Sequence, residues 1–114
     1  MNKGRMEATV IKVLTLLAAK DYVQLAEFGG GKRMAASDIR RAMAGYPFEA
    51  SVPSGSIAEF LDIVEVRGSF PRRWSVCCPV WTKEEGRSDL TVEMTVTETE
   101  GELYAIELDG IHVL

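Results

Sequence analysis

The apolar period of this chain changes once, from three and four residues to two, and that change decides the class of fold. Met6, Val10, Val13, Leu14 and Leu17 recur at three- and four-residue spacing, which lays one apolar stripe along a helix. Further on, Leu90, Val92, Met94 and Val96 alternate with Asp89, Thr91, Glu93, Thr95 and Thr97, the mark of a strand with one core face and one polar face. Helical period first and strand period after builds an α+β domain.

The punctuation between periodic segments refines this. The first helix is predicted from about Arg5 to Ala19, where Lys20-Asp21 interrupts the stripe. Asp21 suits the cap of a second short helix through Tyr22, Leu25 and Phe28, which Gly29, Gly30 and Gly31 end. Ser37 is expected to cap a third helix, Asp38 to Ala44, closed by Gly45. Pro47, Pro53, Gly55 and three serines make Tyr46 to Ser56 a wrapping loop. Strands follow over Phe60 to Arg67, Trp74 to Thr82, Asp89 to Thr97 and Leu103 to Leu108, joined by turns at Gly68 to Pro71, Lys83 to Arg87 and Glu98 to Glu102. Pro79 marks a bulge or an edge, and Asp109-Gly110 a bend before Ile111 and Val113. The expected fold is three N-terminal helices packed on a curved four-stranded antiparallel meander. At 114 residues it is one domain, with a helical part (1–45), a loop (46–59) and a sheet (60–114).

Charge divides along the same line. Up to Arg73 the chain holds 11 Lys/Arg against 8 Asp/Glu, and from Trp74 onward 2 against 9. An acidic sheet half argues against nucleic acid as a partner and permits attraction to a basic protein. No apolar run approaches the roughly 20 residues that span a membrane. Lys3 and Arg5 precede an apolar stretch, but Glu7, Thr9, Lys12 and Thr15 interrupt it at helical intervals, so an amphipathic helix is read there rather than a signal peptide. Cytoplasmic residence is the expectation. Cys77 and Cys78 are neighbours whose side chains oppose in a strand, hence two reduced thiols. With one histidine and no Cys-x-x-Cys pair, neither metal nor cofactor is expected.

The segment Leu16-Leu17-Ala18-Ala19-Lys20-Asp21-Tyr22, where one helix ends and the next starts on an acidic residue and an aromatic, resembles the SnoaL and ketosteroid-isomerase-like cone fold, a cystatin-like α+β family. The strand series Trp74 to Leu114 fits that resemblance in topology. The stretch Trp74 to Met94 also looks like small uncharacterised bacterial proteins with a tryptophan strand, an acidic hairpin and a Leu-Thr-Val-Glu-Met strand. The family resemblance implies a pocket between sheet and helices, dimers through the outer sheet face, and members that are enzymes beside others that only bind.

Candidate sites follow from these readings. An isomerase-like pocket needs a carboxylate base and an oxyanion donor; Asp62, Tyr22, Tyr46 and Tyr104 are the players. Burial among Phe60, Leu61, Ile63 and Val64 would raise the Asp62 pKa; facing solvent, it would do nothing of the kind. No residue is assigned a catalytic role. His112 lacks a matched nucleophile. Gly29-Gly30-Gly31-Lys32-Arg33 misses phosphate-loop spacing and follows a helix where a strand is needed, although with Arg40 and Arg41 it could form a basic patch for an anion. Trp74 and Trp81 lie an odd number of residues apart and so face opposite ways, unless a bulge at Pro79 restores one face. An exposed Trp81 beside Glu84 and Glu85 would make a binding hot spot in an acidic rim.

The leading expectation is a non-catalytic protein-binding module, of the immunity or inhibitor kind, neutralising a basic partner such as a toxin. Its contact residues are Trp81, Glu84, Glu85, Arg87, Asp89 and Glu93. The alternative is a small-molecule pocket protein or isomerase-like enzyme built on Tyr22, Tyr46, Asp62 and Tyr104. A homodimer through the threonine face, Thr91, Thr95 and Thr97, is the third.

Overall fold

A computed structural model describes residues 1–113; Leu114, the end of the anticipated strand series, lies outside them. Among the described residues, three helices precede five strands: α1 (Lys3–Ala18), α2 (Tyr22–Phe28), α3 (Ala36–Ala44), β1 (Ala50–Ser51), β2 (Asp62–Glu65), β3 (Arg73–Thr82), β4 (Gly86–Thr97) and β5 (Ala105–Val113). The sheet is antiparallel throughout, in the order β1-β3-β4-β5, with β2 pairing β3 beside β1. The α+β arrangement follows the change of period.

Capping sets the helix limits. The Asn2 side chain accepts from the Arg5 N–H at 2.9 Å and starts α1 two residues before Arg5. Asp21 accepts from the Gln24 N–H and caps α2 as its sequence position suggests. Ser37 is not the cap of α3. That helix begins earlier because the Asp38 carboxylate takes the Ala35 N–H at 2.9 Å, while the Ala35 carbonyl receives the N–H groups of Asp38 and Ile39. An acid in the first turn thus occupies the end of the helix dipole that favours it.

The loop expected over 46–59 contains β1, which pairs Ala50 with Thr82 and Ser51 with Trp81. Two residues carry no readable period. The strand expected over Phe60 to Arg67 shortens to β2, since Ala58–Phe60 forms a 3₁₀ turn. Gly86 and Arg87, expected in a hairpin loop, already belong to β4, and β5 begins later and runs further than Leu103 to Leu108. It continues because Asp109 is taken up as one extra residue between Met94↔Leu108 and Glu93↔Gly110, a bulge that keeps Ile111 on the core face.

The register of β3 on β4 slips between Pro79 and Trp81, with the extra residues on β4. Burial along β3 therefore alternates without a break. Trp74, Val76, Cys78, Val80 and Thr82 face inward, and Trp81 faces the other way from Trp74. Pro79 falls between the β2 and β1 pairings, where β3 has no neighbour to receive an N–H.

Helices cover one sheet face only. Met6, Val10, Val13, Leu14 and Leu17 of α1, Leu25, Ile39 and Met43 share a core with the inward residues of β3, β4 and β5, each large side chain contributing about 1.5–3 kcal/mol by leaving water. No helix among the described residues is long and apolar enough to cross a membrane.

Candidate functional site

The sheet face away from the helices is built by the period of two. β3 contributes Arg73, Ser75, Cys77, Pro79 and Trp81, and β4 contributes Arg87, Asp89, Thr91, Glu93, Thr95 and Thr97. Register brings Asp62, Cys77 and Glu93 into one row across three strands. Asp62 is exposed, not buried, because its pairing with Cys77 turns it to this uncovered face while Ile63 takes the inward position. The burial that would make it a base does not occur.

Three carboxylates surround the half-buried Cys77 thiol. Burial first, and then the negative charges of Glu93, Asp62 and Asp109, push its pKa above the usual thiol value. His112 Nε2 lies 3.4 Å from Glu93 Oε1. Asp109 is held by Arg33, which reaches over from the glycine loop at 2.9 Å, and by the Thr95 hydroxyl donating at 2.7 Å. Among the described residues, Asp62 and Asp89 have no cationic partner and Glu93 has only His112. Asp62, Asp89 and Glu93 thus outnumber Arg87 and Arg73, the cations that the same alternation places on this face, with Arg73 at the far end beside Thr95 and Thr97.

Trp81 lies at one end of this face. Its ring meets Phe60 edge-on, centroids 5.5 Å apart, and the Arg87 guanidinium lies 4.7 Å over the other aromatic partner, Phe60. Phe60 was not among the sequence candidates. Two-residue alternation back from Asp62, within the strand expected from Phe60 onward, is the signal that could have placed it on this face.

Glu84 and Glu85 do something different from Asp89 and Glu93. Glu84 accepts from the Glu49 N–H at 3.1 Å, and Glu85 accepts from the Tyr46 hydroxyl at 2.6 Å. Both clamp the β3–β4 hairpin to the segment before β1. That bond to Glu85, with burial second, raises the Tyr46 pKa. Lys83 and Lys20 each approach Glu49 at 3.2 Å and hold its carboxyl below the usual carboxylate range.

The clamp borders a cleft of about 500 Å³, lined by Leu17, Lys20, Tyr22, Arg40, Met43 and Tyr46 among others. Tyr22 and Tyr46 share it, with the Arg40 guanidinium 5.8 Å from the Tyr22 ring. Lys20, on its wall, holds the left-handed backbone with φ 58°. Asp62 and Tyr104 do not join them. Tyr104 is buried beneath α1, where its hydroxyl accepts from the Asn2 N–H at 3.0 Å, its ring lies against Trp74 and Arg5 stacks on it at 4.2 Å. The four expected pocket residues thus occupy three separate places.

Comparison with known proteins identifies the family. A family model described as a domain of unknown function, DUF7668, matches residues 14–114, and the chain belongs to that family. No curated protein and no solved structure matches it.

Proposed function

We propose that the domain is a non-catalytic protein-binding module of the immunity or inhibitor kind, holding a basic partner against the outer face of its sheet. The observation that carries this reading is the acidic group of Asp62, Asp89 and Glu93, of which, among the described residues, only Glu93 has a partner, His112, on a face no helix covers. A surface of that charge steers a basic protein and makes association fast and salt-sensitive. Trp81, Phe60 and Arg87 add an aromatic and guanidinium stack at one end, the residue types that anchor interfaces. Glu84 and Glu85 leave the contact set, since both are engaged within the hairpin clamp. Residence is proposed to be cytoplasmic.

The test compares immobilised wild type with a folded Asp89→Lys/Glu93→Lys variant in capture from the source cell's own lysate. One basic protein retained by the wild type, released by salt and missing from the variant supports the reading. Equal capture on both, or none on either, removes it.

A second reading rests on the cleft shared by Tyr22 and Tyr46. It suits a small ligand with an apolar body and an anionic group for Arg40, and it is the form in which the cone-fold resemblance is retained as a proposal. Asp62 lies on the outer face. The carboxylate that lines the cleft, Glu49, is engaged by Lys20 and Lys83, which hold it below the usual carboxylate range and make it a poor base, so a binding site is proposed rather than an isomerase centre. Saturable benzoate binding, lost in Arg40→Gln and not imitated by benzylamine, would favour it over the first.

A further inference from the structure

The two sheet edges differ. On β5, the glycine loop folds over the strand: a Cβ at Gly29 would lie 3.4 Å from the Leu108 backbone nitrogen, and Arg33 reaches Glu107 and Asp109. The Asp109 bulge further breaks that edge. β2 has none of these devices. It is short and carries two acidic residues, but it has no Lys, Pro or bulge and, among the described residues, no loop folded over it.

Its backbone groups are correspondingly open. The Val66 N–H donates to the Arg73 carbonyl at 2.9 Å, so with Asp62↔Cys77 register the even residues of β2 bond to β3. Antiparallel alternation then turns the N–H and C=O of Ile63 and Glu65 outward. Among the described residues nothing pairs with them. Beside this edge stand Val64 at 60%, Val66 at 41% and Phe70 at 96% exposure. At its other end lies a groove of about 290 Å³ lined by Met1, Met6, Ala58, Glu59, Leu61 and Ile63 among others.

We propose that this edge pairs with β2 of a second copy of the chain, about a two-fold axis at Val64, joining two sheets into one. Ile63 of each copy would exchange both backbone bonds with Glu65 of the other. Val64 would face Val64, and Asp62 would face Val66, so no like charges come opposite one another. Glu65 is already neutralised by a bidentate Arg72, with contacts of 2.9 and 3.1 Å. Among the described residues Asp62 has no cationic partner, but the register sets it opposite Val66, so pairing with a second copy brings no like charges face to face. Complementarity also extends along the strand. Phe70 lies in the turn beyond the C-terminal end of β2 and the groove lies at its N-terminal end, so the two-fold axis brings the turn that carries one copy's exposed ring to the end of the strand where the other copy's groove opens. This interface uses the backbone edge of β2 rather than the outer face, and the two meet at Asp62.

The register makes the idea specific. Val64 against Val64 is a non-hydrogen-bonded pair with Cα atoms about 4.5 Å apart, within the span a disulfide bridges. In a Cys77→Ser background, Val64→Cys is expected to oxidise almost completely to a reducible covalent dimer. Val66→Cys, which would face Asp62 of the other copy, is expected to stay largely monomeric. By light scattering the wild type should be a concentration-dependent dimer, Val64→Lys a folded monomer, and Phe70→Ser a dimer weakened at least tenfold. A wild type that stays monomeric at millimolar concentration overturns the proposal. So does equal cross-linking of the two cysteine variants, or a Val64→Lys protein that keeps its dimer mass.

Discussion

The hydroxyl of Thr9, fully buried in the first helix, accepts a hydrogen bond of 2.9 Å from the backbone N–H of Tyr104, 95 residues away. The same hydroxyl donates to the Arg5 carbonyl at 2.7 Å. Thr9 thus fastens α1 to the turn before β5, and it satisfies an N–H that would otherwise be stranded beneath the helix.

Thr9→Val keeps the shape and removes the acceptor. Leaving a buried donor unpaired costs about 1–3 kcal/mol, so the unfolding free energy read from urea denaturation is expected to fall by that amount, while Thr9→Ser recovers most of it. Equal stability of the valine and wild-type proteins would show that the bond contributes nothing net.

Gly29 is closed against β5. A Cβ there would lie 3.1 Å from Leu108 Cγ and 3.2 Å from the Leu25 carbonyl oxygen. Gly29→Ala is expected to destabilise by about 1–3 kcal/mol through overpacking. Gly30, with φ +76° and open space around it, is expected to lose about 1 kcal/mol on the same change, from backbone conformation alone. Chemical denaturation of the two variants separates crowding from strain.

Burial, and secondarily the Cys77 charge, push the Cys78 thiol up to about 12. In the unfolded chain the thiol ionises first, so the folded state binds more protons between pH 9 and 12, and stability falls as pH rises through that window. The slope from this group is at most about 1.4 kcal/mol per pH unit. Cys78→Val should remove that part of the alkaline loss. Iodoacetamide at pH 8 should modify Cys77 slowly and Cys78 only on unfolding, which mass spectrometry of the native protein reads directly.

Glu49 is expected to titrate below the ordinary glutamate value, chiefly through its hydrogen bonds to Lys83 and Lys20. Its contribution to stability is present above the unfolded pKa and is lost as pH falls through the lowered folded one. Both partners are solvent-exposed, so salt screens them. Carboxyl NMR should show the Glu49 midpoint moving back up in 0.5 M NaCl; an unchanged midpoint would assign the shift to something other than these lysines.

Strand alternation made the outer-face residues Asp89 and Glu93 legible, along with the inward Leu90, Val92, Met94 and Val96. It also allowed Trp74 and Trp81 to face apart. The hairpin clamp was not legible, because Glu84–Glu49 and Glu85–Tyr46 join segments more than thirty residues apart and carry no local signature. Asp62 illustrates the same limit: four apolar neighbours suggested burial, yet its exposure depends on which residue of β3 lies opposite.

What the sequence by itself determined is local. Period set helix against strand, Asp21 supplied a cap, and the acidic residues accumulated in the half that forms the sheet. Such properties depend on side chains a few residues apart, whose spacing is written in the chain. Tertiary structure decided which face of the sheet the helices cover, which carboxylates gather around Cys77, and which edge stays open at Ile63 and Glu65. Those outcomes depend on register between distant strands, and a one-residue slip would turn every side chain of a strand to the opposite face.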